Sequence, residues 1–164
     1  VGFLSREDAI NYGVTGPSGR GSGWACDVRK RSPYAAYDKV QFDEVLYNEG
    51  DSYARYMVRM KEIEQSLHIL EQLVDNIPEG DYLAKTKPII KVPEGRYFKE
   101  VEAARGAFGI YLESRGDKFP YRLKVNSPGF NLVGAVDHMT RGSKIADLIA
   151  IGGSLDYVVP DIDR

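Results

Sequence analysis

Few side chains in this sequence could carry chemistry, and most of them stand alone. The two histidines, His68 and His138, are far apart and neither pairs with a second ligand at metal-binding spacing, so both read as structural residues. Cys26 is the single cysteine, which excludes an internal disulfide and every all-thiolate metal site; a lone thiol of this kind reads as a small buried residue. No serine sits in a nucleophile-elbow pattern beside a base. Gly16 to Gly23 reads GPSGRGSG, and glycines let backbone N–H groups approach an anion. A phosphate loop, however, needs Lys-Ser or Lys-Thr after its last glycine, and here Trp24-Ala25-Cys26 follows. The passage reads instead as a tight loop approached closely by neighbouring chain or by a partner. Glu100 and Glu102 alternate along one segment and are expected to face solvent. Leu155 to Arg164 closes the sequence with Asp156, Asp161 and Asp163 and an arginine, and is expected to be extended.

The elements that would position these groups centre on one helix. From Asp51 to Ile77, apolar residues recur at steps of three and four, Tyr53, Tyr56, Met60, Ile63, Leu67, Leu70 and Val74 among them. Arg55, Arg59, Glu62 and Glu71 fall off that stripe, so the apolar side is expected on a core and the charged side in water. Such a helix would be about 40 Å long and needs a cover for its stripe. Ser5 and Asp8 mark a first, short helix ended by Gly13. Gln41 to Tyr47 reads as a weak strand. After a proline-bearing linker, Tyr97–Glu102, Phe108–Glu113 and Tyr121–Asn126 alternate with period two, and the short connections between them predict an antiparallel meander. One face of this sheet is apolar and is expected to cover the long helix. Asn131–Met139 and Ser143–Ile151 read as two short helices, with Ser143 as a cap and Gly152-Gly153 releasing the chain.

At 164 residues and a net charge of -2 the chain has the size of one domain and no general affinity for nucleic acid. No apolar run reaches the ~18 residues of a membrane span. The run Asp27-Val28-Arg29-Lys30-Arg31 reads as a solvated face, with a contact to acidic headgroups or to a partner's carboxylates as the functional alternative. The expected class is α+β: a long amphipathic helix packed with a three-stranded antiparallel meander and two short C-terminal helices. Residues 1–164 read as a single domain, with a loop-rich opening over 1–50, the long helix over 51–77, the meander over 96–126 and helices and tail over 131–164.

Several ordered motifs go further than composition. Gly16-Pro17, Arg20-Gly21-Ser22-Gly23, Asp27-x-Arg29-Lys30 and Pro33-Tyr34-x-x-Tyr37 resemble a passage of the quinone-site D subunit of bacterial NADH:quinone oxidoreductase, respiratory complex I. So do Gly50-Asp51-x-Tyr53-x-Arg55-Tyr56-x-Val58-Arg59-Met60-x-Glu62, Val101-Glu102-Ala103 through Leu112, Ser127-Pro128-Gly129-Phe130, and Ser154-Leu155-Asp156 to Asp163-Arg164. Gly19, Ala104-Arg105 and Pro160-Asp161 stand where that family usually has Leu, Pro-Lys and Gly-Glu.

The resemblance implies a C-terminal portion of that D subunit, whose headgroup histidine and tyrosine lie in its amino half, so neither His68 nor His138 takes that role. It implies the multihelical fold of the nickel-iron hydrogenase large subunit, in which Asp156 answers an aspartate while Val158 and Asp161 replace two cysteines. Asp156, Val158, Asp161 and Arg164 are then expected to wall a quinone chamber, with Arg105 as a nearby support. No cofactor or metal is expected on this chain. Quinone is the substrate, an iron-sulfur cluster belongs to a partner, the B subunit, and NADH and FMN bind elsewhere. The C subunit and a membrane subunit of the quinone module are the further partners, in the peripheral arm on the cytoplasmic side of the bacterial inner membrane. Two alternatives are a non-catalytic docking or assembly module, and the large subunit of a membrane-bound hydrogenase-related complex, which the missing thiols disfavour.

Overall fold

The computed structural model describes residues 1–163. Seven helices and three strands follow in the order α1 (Arg6–Tyr12), α2 (Gly16–Arg20), α3 (Val28–Arg31), α4 (Ser52–Val74), β1 (Gly95–Ala103), β2 (Gly106–Ser114), β3 (Arg122–Asn126), α5 (Pro128–Thr140), α6 (Ile145–Leu155) and α7 (Val159–Ile162). The class is α+β, and the sheet is an antiparallel meander in the order β1-β2-β3. A two-residue turn, Ala104-Arg105, joins β1 to β2, since Ala103 faces Gly106 in the register.

The main core is helical. Leu4, Ala9 and Val14 from the first two helices and their flanks meet Leu132, Ala135 and Met139 of α5 and Ile151 and Leu155 of α6. Each fully buried Leu or Ile contributes on the order of 1.5–3 kcal/mol. Caps fix the helix starts: the side chains of Ser5, Asp51 and Ser127 accept the N–H groups of Asp8, Ala54 and Gly129. Helix α6 departs from expectation at both ends. Its cap is Lys144, with Asp147 accepting the Lys144 N–H at 3.1 Å, and it runs on through Gly152-Gly153 to Leu155. Two glycines in its last turn cost up to about 1 kcal/mol each, offset by the burial of Ile151 and Leu155, which lie either side of them. The tail is not extended either. Asp156 turns the chain in the left-handed region at φ 55°, and α7 follows with Pro160 in its first turn.

Helix α4 overturns the expected packing. Its apolar stripe faces outward: Tyr53 is 66% exposed, Leu67 56% and Leu70 61%. The sheet does not cover it, because β1 and β2 pack on α2, α3 and α5 while α4 packs on α2 and α6. Turned inward instead are Ala54, Arg55 and Val58, all buried, with Ile69 further along. The polar residues of this face act as partners for backbone. Gln65 accepts the Asp43 N–H at 2.8 Å, and Gln72 both accepts the Gln41 N–H and donates to the Gln41 carbonyl. Residues 41–43 therefore lie along the helix with their backbone groups satisfied by side chains, and the expected strand over 41–47 does not form. Phe42, Val40 and Ile69 make a second small core there, with Tyr37 and Leu73 against it.

An uncovered stripe at heptad-like spacing is a surface for self-association. The chain on its own is expected to sediment as oligomers, and Leu67→Glu with Leu70→Glu is expected to shift it toward monomer without loss of helical circular dichroism.

Candidate functional site

Two carboxylates from different elements converge on the buried Arg20. Helix α2 and the loop behind it are threaded so tightly that a Cβ at Gly19 would meet the Val14 carbonyl at 2.3 Å, and one at Gly21 would meet Arg55 backbone at 3.2 Å. The glycine run is thus a close approach of neighbouring chain, as expected, but Gly16–Arg20 form a short helix and not the expected loop. It delivers Arg20, 1% exposed, between α4 and β1. Arg20 Nε donates to Glu62 Oε1 at 2.6 Å and Nη1 to Glu102 Oε1 at 2.7 Å. The other oxygen of Glu102 accepts the Val28 N–H at 3.0 Å, and the Glu102 N–H donates to the Tyr34 hydroxyl at 3.1 Å. Glu102 is therefore not the solvent-facing carboxylate that strand alternation predicts. Burial would lower the Arg20 pKa, but the charges and hydrogen bonds of Glu62 and Glu102 hold it above its ordinary value. Burial pushes the Glu102 carboxyl up, against the pull of Arg20 and the Val28 N–H. Burial also pushes the Cys26 thiol up to about 12, which leaves it a packing residue.

The basic run is tied to its own chain as well. Arg29 pairs with Asp27 at 2.6 Å and lies over the Phe42 ring, Lys30 donates to the Phe42 carbonyl, and Arg31 pairs with Glu100 at 2.9 Å. Lys30 and Arg31 are nonetheless exposed, so the run is a solvated face, as expected, whose cations are also tethered to their own chain. Burial works against ionised Asp27, yet the Arg29 hydrogen bonds and charge prevail and hold its pKa below the usual carboxylate value.

The expected tail site is partly assembled. Arg105, on the β1–β2 turn, donates from Nε to the Asp156 carbonyl at 2.6 Å, and its Nε lies 3.6 Å from Asp156 Oδ2. Val158 caps the start of α7 and is half-buried. Asp161 sits against the first turn of α5, where a Cβ at Gly129 would meet its Oδ2 at 2.8 Å, so its negative charge faces a helix N-terminus. Arg164 lies outside the described residues. Two arginines that sequence reading assigned to solvent also come here. Arg55, 0% exposed, donates to Ser154 Oγ at 2.9 Å, to the Gly2 carbonyl at 2.8 Å and to the Gly50 carbonyl at 3.0 Å. Burial lowers its pKa to about 10, which still leaves it cationic. Arg59, one turn on, donates to the Arg55 carbonyl at 3.0 Å and to the Leu155 carbonyl at 3.5 Å. The signal for both was local: they flank Val58 and follow Ala54, the small apolar residues in the first half of an otherwise bulky helix.

Among the described residues, no three of His, Cys, Asp and Glu come together as a metal site. Val158 offers no donor atom, so these residues do not fit a thiolate-bound nickel-iron centre. An apolar groove of about 390 Å³, lined by Tyr37, Val40, Ile69 and Leu73, lies at the other end of α4 from Asp156. The ten residues or so that separate Arg59 from Ile69 put it about 15 Å away along the helix axis.

The family model described as "Respiratory-chain NADH dehydrogenase, 49 Kd subunit" matches residues 1–91 and 86–164. The chain belongs to this 49 Kd subunit family. It is 69% identical over 164 residues to the NADH-quinone oxidoreductase C/D subunit of Bacteroides fragilis, covering all of this chain and 31% of that protein. It is 67% identical to the C/D subunit of Phocaeicola vulgatus, covering 32% of it. The NADH-quinone oxidoreductase D subunit of Desulfotalea psychrophila is 54% identical over 165 residues, with 44% of its length covered. The chain thus spans between about a third and a half of these relatives. No described helix is long and apolar enough to cross a membrane.

Removing Arg20 would leave two inward-facing carboxylates uncompensated. Arg20→Met is expected to destabilise the chain by about 3–5 kcal/mol in urea unfolding. For Asp27 the folded pKa lies below the unfolded value of 3.8, so its contribution is present above that pH and is lost as pH falls through the depressed value. Asp27→Asn is expected to lose less stability than the parent chain on acidification below about pH 4, in unfolding curves taken at a series of pH values.

Proposed function

We propose that this chain forms part of the quinone-reducing module of an NADH:quinone oxidoreductase, with its C-terminal corner at the wall of the quinone chamber. Family membership supports the complex. The observation that carries the site is the clasp of Arg105 on Asp156, which holds an ionisable side chain at the corner where the chain turns into the short helix capped by Val158 and bearing Asp161. The fold reading is that of a C-terminal portion of a hydrogenase-large-subunit-like protein whose metal ligands have become Val158 and Asp161.

The chemistry follows from the balance of the reaction. Reduction of a quinone to a quinol takes two electrons and two protons. In this reading the electrons come from an iron-sulfur cluster in a neighbouring subunit. Val158 supplies an apolar surface for the ring. Asp156, with about half of its side chain exposed, and Asp161 set the field and pass protons toward the quinone oxygens. Arg105 keeps Asp156 in place. The partners are the cluster-bearing B subunit, the C subunit and a membrane subunit of the quinone module, in the peripheral arm at the cytoplasmic face of the bacterial inner membrane.

The second reading, a docking module without a part in the reaction, is favoured by one observation, the exposed stripe of α4. The two separate in the intact complex. Asp156→Asn is expected to lower quinone reductase activity at least about tenfold, and Val158→Met to change sensitivity to quinone-site inhibitors. Electron transfer from NADH to a hydrophilic artificial acceptor is expected to stay intact in both. Unchanged quinone kinetics and inhibitor titrations in both variants would remove the chamber-wall assignment and leave the docking role.

A further inference from the structure

The end of α6 is a negative helix terminus without a basic residue of its own. Its last turn reads Gly152-Gly153-Ser154-Leu155, and no Lys, Arg or His lies in it. Terminal carbonyls and the negative end of a helix dipole are ordinarily met by cations. Here the cations come from elsewhere, on two sides. From α4, Arg55 reaches Ser154 Oγ at 2.9 Å and Arg59 reaches the Leu155 carbonyl at 3.5 Å. From the β-hairpin turn, Arg105 reaches the Asp156 carbonyl at 2.6 Å. Three arginines thus hold three successive residues, and the third of these is the left-handed Asp156.

The roles of the three differ. Arg55 is fully buried and bound to Gly2, Gly50 and Ser52 as well, so it ties the amino-terminal segment to α4. Arg105 is partly exposed, on a two-residue turn. Arg59 stands between them. Its guanidinium donates to backbone carbonyls, and its charge is felt by Asp156 on one side and by Glu62 and Arg20 on the other. It therefore connects the buried Arg20 cluster with the tail corner.

We propose that Arg59 is a positioning residue for the quinone site: with Arg105 it clamps the Leu155–Asp156 corner from the opposite side and so aims Asp156 and the Val158–Asp161 turn. This rests on the chamber-wall reading above. It adds a residue on α4, outside the tail, through which the packing of the long helix reaches the site. A guanidinium suits the task because its planar fork serves two carbonyls from two separate nitrogens, Nη1 to the Arg55 oxygen and Nη2 to the Leu155 oxygen, whereas an ammonium must reach both from a single atom.

The test uses Arg59→Gln, Arg59→Lys and Asp156→Asn in the intact complex. Steady-state kinetics are measured with a short-chain quinone, alongside inhibitor titration and reduction of a hydrophilic artificial acceptor. For Arg59→Gln the expected result is a KM raised about threefold to tenfold and a weakened inhibitor titration, with kcat within about a factor of two and the artificial-acceptor rate unchanged. Arg59→Lys, which keeps the charge and serves one carbonyl, is expected to fall between Arg59→Gln and the parent. An unchanged KM and inhibitor titration in an assembled Arg59→Gln complex overturns the proposal. If that variant does not assemble, Arg59→Lys decides: a raised KM supports the role, and a parental KM or a failure to assemble overturns it. Asp156→Asn separates the two levels. Should it alter quinone kinetics while the Arg59 variants do not, only the Arg59 role falls; should it and Val158→Met both leave quinone kinetics and inhibitor titration unchanged, the chamber-wall reading falls first.

Discussion

A single buried cation sets the arrangement of this chain. Arg20 lies where α2, α4 and β1 meet, and its two carboxylate partners come from the other two elements. Burying three charged groups is expensive unless each finds a partner at hydrogen-bond distance, so the three elements can meet in one register only. With Glu62 drawn inward, the rotation of α4 about its axis is fixed. Arg55 and Arg59, two turns and one turn earlier on nearly the same side, are then carried onto α6. Glu102, drawn inward from the last part of β1, brings the hairpin turn with Arg105 to the same place. The arrangement of the tail corner is a consequence of where the Arg20 charge is satisfied.

This explains how the sequence could be read correctly in parts and inverted in others. The three strands, their antiparallel order and the four main helices were legible because period-two and period-3.6 patterns are local, as are the caps at Ser5 and Asp51. The facing of α4 was not. Hydrophobic periodicity assigns the apolar side to a core on the assumption that apolar surface finds its cover in the same chain. Here the charged side carries the specific partners, and the stripe from Tyr53 to Val74 stays open. Glu102 was misread for the same reason: alternation on a strand gives the face, but not what lies against it.

The site shows the same division. The Asp156, Val158 and Asp161 triplet and Arg105 could be named from motif resemblance, and the structure brings Arg105 onto Asp156. Beyond the small Ala54 and Val58 that precede them, Arg55 and Arg59 were visible only as charges off a stripe, since their partners are carbonyls and hydroxyls, which leave no mark in residue types. The left-handed backbone at Asp156 left no glycine to betray it, and the extended tail that was expected is a corner followed by a short helix.

That corner narrows what position 156 can hold before any reaction is considered. A β-branched or bulky side chain is strained at φ 55°, and only glycine, asparagine and aspartate adopt this backbone readily. Of the three, aspartate alone is an anion facing the Arg105 guanidinium. Glutamate would keep the charge and lose the turn, and glycine would keep the turn and lose the charge. Two independent requirements, one conformational and one electrostatic, thus overlap on a single amino acid at this position.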